Sequence, residues 1–249
     1  MSTITDATSG LSYGQLSAPW SSGCPPTLSN PQVFNWAAGE SAVAGQVPSS
    51  QATGGQATWY GAACSGQLPP QYGYRSTADL ENVTGALVNA FNGAYYAAMP
   101  HNFAETQSQP VAISGHPGWE ITFTQTYTSS QGMAWTNEMG AVVVTDPGNG
   151  AAPAVFYVTV PGNLDEGNVD TLVSSLRLTP PVPPPAAPSP AAPSSAAAPA
   201  PSAPPAPLYG HIYRKVRNHV SRKERHPPFS YRRRVRTARG GTEDGDNDA

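Results

Sequence analysis

The chain has 249 residues and a formal net charge of −3, and this small value hides an uneven distribution of charge along the sequence. Residues 1–179 carry a net charge of −9, residues 208–241 carry +10, and the last eight residues carry −4. About 170 residues are enough for one domain with a hydrophobic core and not clearly enough for two. No window approaches 18 consecutive apolar residues, which excludes a transmembrane helix in this sequence.

The first part of the chain predicts short strands separated by loops. Residues 1–9 are polar and are expected to form a flexible N-terminus, and one globular domain is expected over residues 10–179. Within it, residues 10–16 alternate apolar and small polar side chains and predict a short edge strand. Residues 40–47 and 57–60 predict another pair of strands, whose register is weakly specified because small residues dominate both.

The two cysteines, Cys24 and Cys64, favour a disulfide. Both lie in stretches rich in small residues and proline (SSGCPP and GAACSG), which indicate loops, although two unrelated buried thiols would also fit the sequence. A bridge between them would close a loop of about 40 residues and stabilise the fold by about 4 kcal/mol in the loop-entropy treatment. Disulfides persist in oxidising compartments, so the pair indicates a location outside the cytoplasm.

The strongest helix signal covers residues 76–99. Ser76 and Asp79 have the spacing of a capping box, with Asp in place of the usual Glu. Leu80, Val83, Leu87, Val88, Phe91 and Tyr95 then recur at intervals of three and four and form one apolar stripe. Gly85 and Gly93 weaken the helix, so we expect each to pack closely against a neighbouring element.

Residues 118–160 predict the centre of the fold. Trp119, Ile121, Phe123 and Tyr127 alternate with polar residues, as in a strand with one apolar and one wetter face. Turn-forming residues at 129–132 and 146–150 divide the stretch into three runs, which pair most simply as an antiparallel meander. Residues 109–115 predict a short strand that leads into it.

A second, shorter helix is predicted from about Asp165. Val169, Leu172, Val173 and Leu176 give it an apolar stripe, and Arg177 would lie in its last turn, where the helix dipole favours a cation. The prediction is therefore an α+β fold: an antiparallel sheet, made of the C-terminal meander and the N-terminal strands, packed by two helices.

The last 70 residues are expected to lie outside this domain. Residues 180–207 are almost wholly Pro, Ala and Ser and predict an extended linker. Residues 208–249 predict a disordered basic tail with an acidic end. Such a tail could bind nucleic acid or another polyanion, although a merely solvated tail explains its composition too. The candidate polyanion contacts are Arg214, Lys215, Arg217, Arg222, Lys223, Arg232, Arg233, Arg234 and Arg236.

Residues that could carry chemistry are few in the body of the chain. Ser114 and His116 are close in sequence and could be imagined in a hydrolase, but a turn explains them better, and no Gly-x-Ser-x-Gly elbow occurs. The cysteines and histidines match no metal-ligand spacing, and neither a phosphate loop nor a dinucleotide fingerprint is present. We therefore expect a protein that is not an enzyme and has no metal or cofactor.

A surface for a partner is the better expectation. On the meander, the wetter face of the first strand could meet a partner through Glu120, Thr122 and Thr124, together with Trp119. The sequence names no ligand, and it leaves the oligomeric state open.

Three stretches carry a resemblance to a known family. Residues 9–20 (SGLSYGQLSAPW), 114–123 (SGHPGWEITF) and 153–178 (PAVFYVTVPGNLDEGNVDTLVSSLRL) resemble the opening strand, the start of the meander and the closing helix of PsbP/Mog-like α/β/α sandwiches. Actinobacterial envelope proteins, including LpqN-type lipoproteins of mycobacteria, carry such domains. A domain followed by a Pro/Ala segment is also similar to the alanine- and proline-rich fibronectin-attachment proteins.

The resemblance implies a secreted or membrane-tethered, non-catalytic module that binds a protein or glycan of the cell envelope. Binding of nucleic acid is not implied. The first ten residues, MSTITDATSG, have neither the basic nor the apolar region of a secretory signal. An extracytoplasmic location therefore requires a signal or anchor upstream of Met1, and the chain would be cytoplasmic if Met1 is the true start.

Overall fold

A computed structural model describes residues 2–48, 55–97, 99–128 and 133–179. In these ranges the chain forms ten strands and two α-helices. Their order is β1 (Thr3–Thr5), β2 (Leu11–Gly14), β3 (Ser21–Ser22), β4 (Ala38–Pro48), β5 (Gln56–Gln67), α1 (Leu80–Tyr95), β6 (His101–Ile113), β7 (His116–Tyr127), β8 (Asn137–Thr145), β9 (Ala154–Pro161), α2 (Asn168–Ser175) and β10 (Arg177–Leu178). The linker and tail predicted for residues 180–249 lie outside the described residues.

Seven strands form one large antiparallel sheet in the order β3-β4-β5-β9-β8-β7-β6. The predicted meander is its centre, since β7, β8 and β9 are neighbours and every residue of β9 is buried. A strand that is buried on both faces needs apolar side chains throughout, which explains the run of Ala154–Pro161. The strand β6 is much longer than the predicted 109–115. Its first half is mostly exposed at the edge of the sheet and so lacks an apolar alternation.

The N-terminal residues form a second, three-stranded sheet in the order β1-β2-β10. Residues 3–5, expected to belong to a flexible N-terminus, instead form β1 and pair with β2. The strand β2 was expected at an edge of the main sheet but lies in the middle of this small one, because β10 pairs along its other side. Neither partner strand is longer than three residues, so no periodic pattern could reveal them.

The two faces of the large sheet are covered by different elements. The apolar stripe of α1 packs on one face, which we call the α1 face, against Ile121, Phe123, Val142, Val144, Val155 and Tyr157. The helix α2 and the small sheet cover the opposite face, the α2 face, and pack on Ala141, Val143, Phe156, Val158 and Val160. The α+β class, with an antiparallel sheet packed by two helices, is therefore confirmed.

The disulfide joins a loop to the middle of the large sheet. Cys24 and Cys64 are paired with a Cα–Cα distance of 5.9 Å, within the usual range for a disulfide. The residues next to Cys64 in the sequence predicted a loop, and that prediction is wrong. Cys64 lies in β5, where it is fully buried. Small residues are needed in this strand pair because covering side chains approach closely. At Gly66, an added Cβ would lie 2.7 Å from the ring of Phe34.

Both helices begin later than predicted. A 3₁₀ turn over Thr77–Asp79 precedes α1, and the capping box is present, with the Asp79 carboxylate accepting the N–H of Ser76 at 3.0 Å. Gly85 and Gly93 do not pack against a neighbour, since an added Cβ would meet nothing within 4 Å at either position. Arg177 lies in β10, just beyond α2, and its guanidinium caps the carbonyl of Ser174 at 3.1 Å.

Candidate functional site

A buried carboxylate, Glu138, lies on the α1 face near the C-terminal end of α1. Its side chain is 1% exposed and accepts hydrogen bonds from four neutral groups. The hydroxyl of Tyr96 donates at 2.8 Å, that of Tyr127 at 2.6 Å, and the indole N–H of Trp59 at 2.9 Å. The hydroxyl of Thr159 donates as well. Four acceptor sites are what an ionised carboxylate offers, so these donors match its capacity.

These four donors come from different elements of the chain. Trp59 belongs to β5, Tyr127 ends β7, Thr159 lies on β9, and Tyr96 follows the last residue of α1. Residues at alternate positions of a strand share one face, which places Glu138 on the α1 face of β8. The helix end is held against the sheet by a second contact, since His101 of β6 hydrogen-bonds Asn92 of α1 at 2.8 Å.

The environment shifts the titration of this cluster. Burial raises the pKa of Glu138, and the hydrogen bonds from its four donors act in the opposite direction. Burial also raises the pKa of Tyr96, Tyr127 and Tyr157, and the nearby Glu138 carboxylate adds to the shift. The tyrosines are therefore protonated hydrogen-bond donors at any physiological pH.

A cavity of about 40 Å³ opens beside the carboxylate, and we call it the α1 pocket. Its wall is largely aromatic, and its lining comprises Pro25, Thr27, Leu28, Trp59, Tyr60, Ala62, Tyr95, Tyr96, Glu138, Tyr157 and Thr159. The loop segment that supplies Pro25, Thr27 and Leu28 follows Cys24 directly, so the disulfide fixes this wall to β5. One wall of the pocket is therefore held by a covalent bond.

The four residues predicted to meet a partner lie on two different sides of β7. Glu120 and Thr122 are each 8% exposed and are engaged with β6: Glu120 accepts from the Gln109 amide at 3.2 Å, and Thr122 pairs with Thr106 at 2.8 Å. Thr124 lies on the same side of β7. Trp119 belongs to the opposite, α1 face, because successive side chains alternate, so the four residues cannot form one surface.

Ser114 has a structural role in the turn between β6 and β7. It has a positive φ of 53°, and its hydroxyl accepts the N–H of Leu178 at 3.0 Å, which ties β10 to the hairpin. His116 is the first residue of β7. Their positions match the turn that the sequence favoured.

The described residues contain no group of three His, Cys, Asp or Glu side chains that could hold a metal ion. In the same part of the chain, no helix is long and apolar enough to cross a membrane. The nine candidate polyanion contacts between Arg214 and Arg236 lie outside the described residues.

Sequence reasoning missed the α1 pocket. Glu138 was visible in the sequence as one of a few acids in an otherwise apolar sheet. An acidic residue within such a strand indicates a buried carboxylate that has hydrogen-bond partners. Its donors, however, lie 79, 42, 11 and 21 positions away in sequence. Only the pairing of four strands, β5, β7, β8 and β9, with the end of a helix brings them together.

The comparisons with known proteins add little to this description. No family model and no curated protein matches the chain. Among solved structures, the chain is similar to cyanobacterial PsbP (CyanoP) from Synechocystis sp. PCC 6803, with a TM-score of 0.45 and 10% identity, covering 72% of this chain and 92% of that one. Such an identity says nothing about activity, partner or location, and the fold class rests on the strands and helices themselves.

Proposed function

We propose that this protein is a non-enzymatic binding module that works outside the cytoplasm and receives a small group of its partner in the α1 pocket. The observation that carries the proposal is the pocket itself: aromatic side chains surround a buried carboxylate, and a disulfide holds one wall in place. Concave, mostly apolar sites with a few fixed polar groups are the usual form of a ligand site.

The chemistry of the lining favours binding over catalysis. Glu138 is the one carboxylate among the lining residues, and its acceptor sites are already occupied by four neutral donors. The remaining titratable groups of the lining include Tyr95, whose pKa burial raises to about 12. A general base needs a pKa near the working pH and access to the substrate's proton, and burial moves the pKa of Tyr95, Tyr96 and Tyr157 away from that range.

The disulfide supports the proposed location, because such bridges persist in secreted and envelope proteins. The partner we propose is a protein or glycan of the cell envelope. Thiol titration of denatured, unreduced protein recovered from outside the cytoplasm should find no free thiol. Two free thiols per chain would contradict the disulfide and so remove the argument for an extracytoplasmic location.

The pocket is tested with a small fragment library and ligand-observed NMR on the full chain. Thr27 is exposed at the pocket, so Thr27→Trp should block the opening without disturbing the core. Gln32→Trp is the matched control, since Gln32 is equally exposed but does not line the pocket. Fragments that bind the wild type and Gln32→Trp but not Thr27→Trp support the proposal. A library without a single such fragment contradicts it.

Two rival functions have their own tests. A polyanion binder would act through residues 211–239, so deleting residues 208–249 should lower the dependence of DNA retention on salt. An unchanged slope removes this rival. A hydrolase using Ser114 or His116 requires that His116→Ala abolish a detected activity, and the structural role of Ser114 in its turn argues against it.

A further inference from the structure

We infer that the group received by the α1 pocket is a small organic cation, an alkylammonium head in contact with the surrounding aromatic rings. The negative charge of Glu138 attracts it across the pocket wall, since the four donors already occupy the acceptor sites of the carboxylate. This inference rests on the proposed function and narrows it to one ligand chemistry. The juxtaposition that carries it is a buried carboxylate, without a cationic partner in the described chain, at the side of a pocket walled by Trp59, Tyr60, Tyr95 and Tyr157.

The charge of the carboxylate is not balanced by the protein around it. All four of its hydrogen-bond donors are neutral, so they stabilise the negative charge without cancelling it. Residues 1–179 contain two arginines, Arg75 and Arg177, and no lysine. His101 packs against Tyr96 and Tyr127, but its two ring nitrogens pair with the Met99 carbonyl and the Asn92 amide oxygen and not with Glu138. Arg177 caps α2, and Arg75 lines a separate depression beside Asp146. A buried charge is usually paired, and here the pairing partner can come from a ligand.

The aromatic wall suits the same kind of ligand. The faces of Trp and Tyr rings attract cations through their quadrupole, and groups of such rings recognise ammonium ions. The rings of Trp59 and Tyr96 are 5.6 Å apart between centroids, and those of Tyr95 and Tyr157 are 6.0 Å apart. An anionic ligand would be repelled by Glu138, and a neutral one would leave its charge unbalanced.

The size of the pocket limits what enters. A cavity of about 40 Å³ has room for roughly three water-sized groups. It therefore accepts a head group, and the remainder of the ligand would stay outside. A primary ammonium, as on a lysine side chain or an amino sugar, and a quaternary ammonium share this chemistry, so the experiment must separate them.

The experiment measures binding of methylammonium and tetramethylammonium chloride to the full chain by NMR titration, with tert-butanol and acetate as neutral and anionic controls. We expect saturable binding of at least one ammonium ion and none of acetate. Glu138→Gln keeps the shape of the side chain and removes its charge, so it should weaken binding about 10-fold or more. Thr27→Trp should abolish binding, and Gln32→Trp should leave it unchanged.

The pH dependence gives an independent readout. A bound cation favours the ionised form of Glu138, so affinity should rise with pH in the wild type and stay flat in Glu138→Gln. Circular dichroism shows whether Glu138→Gln folds. If it does not fold, the inference is still tested by comparing Thr27→Trp with Gln32→Trp and by the pH dependence of binding to the wild type. Stronger binding of methylammonium points to a primary amine as the natural group, and stronger binding of tetramethylammonium points to a quaternary one.

Several outcomes overturn the inference. They are the absence of saturable ammonium binding, an equal affinity in Glu138→Gln, and binding that survives Thr27→Trp. If tert-butanol or another neutral fragment enters the pocket and neither ammonium ion does, the cation assignment fails while the binding module stands. If nothing enters the pocket, both fail.

Discussion

Each face of the large sheet has one glutamate that is almost completely enclosed, and the two are stabilised in different ways. On the α1 face, Glu138 is 1% exposed and accepts from four side chains. On the α2 face, Glu40 of β4 is 0% exposed, and both of its oxygens share a single donor, the N–H of Leu16, at 3.2 and 3.1 Å. Two carboxylates that are equally buried can therefore differ widely in the number of hydrogen bonds that they accept.

The difference follows from what each carboxylate connects. Glu138 joins β5, β7 and β9 to the end of α1, so several elements supply side-chain donors. Glu40 ties the main sheet to the loop that follows β2, and this loop offers one backbone N–H. Burial raises the pKa of Glu40 to about 7, while the bond from Leu16 acts to lower it. Burial raises the pKa of both carboxyls, and the two sites differ in how many hydrogen bonds oppose that shift: four side-chain donors at Glu138 and one backbone N–H at Glu40.

The largest effect should come from removing the better-supported carboxylate. Glu138→Ala leaves the donors of Tyr96, Tyr127 and Trp59 buried without their acceptor. At about 1–3 kcal/mol for each unsatisfied group, we expect a loss of about 4 kcal/mol in the free energy of unfolding. Urea denaturation at pH 7 measures it.

Glu40→Ala is the matched control for that measurement. It deprives one N–H of its acceptor and also removes a poorly supported charge, so the expected loss is only about 1 kcal/mol. Equal losses in the two variants would contradict the distinction between the faces.

The next effect is a dependence of stability on pH through Glu40. The folded-state pKa of about 7 lies above the ordinary value of 4.5 for a glutamate carboxyl, so the folded state binds this proton more tightly than the unfolded state. The stabilising contribution is therefore complete below about pH 4.5 and is lost as pH rises through 7. Relative to Glu40→Gln, the wild type should lose about 3 kcal/mol between pH 4 and pH 8.

Denaturation curves of both proteins across this pH range provide the measurement. The contribution of Glu138 is common to the two proteins and cancels in the difference. The glutamine side chain of Glu40→Gln keeps an oxygen that can accept the N–H of Leu16. The two proteins therefore differ in the titrating proton and not in this hydrogen bond. A difference that stays constant from pH 4 to pH 8 would show that Glu40 titrates as an exposed carboxyl does.

The sequence revealed the elements and not the contacts between them. The apolar stripe of α1 and the alternation in β7 predicted both correctly, because a periodic pattern records which side of an element is buried. The strands β1 and β10 were missed because a run of two or three residues has no period. Glu40 and Glu138 were both visible as isolated acids, but a donor such as Leu16 N, which is a backbone atom, carries no signal in the sequence.

The smallest predicted change in stability comes from replacing glycines. It depends on how closely neighbouring side chains approach each glycine on the two sides of the sheet. In α1, an added Cβ at Gly93 meets nothing within 4 Å, and Gly costs a helix about 1 kcal/mol relative to Ala. Gly93→Ala should therefore stabilise the fold by about 0.5–1 kcal/mol. At Gly61 of β5, the same atom would lie 2.9 Å from Leu164 and 3.1 Å from Trp20, so Gly61→Ala should destabilise it. Thermal unfolding of the two variants measures the contrast. A loss of stability in Gly93→Ala would contradict the open space that the described structure shows beside Gly93.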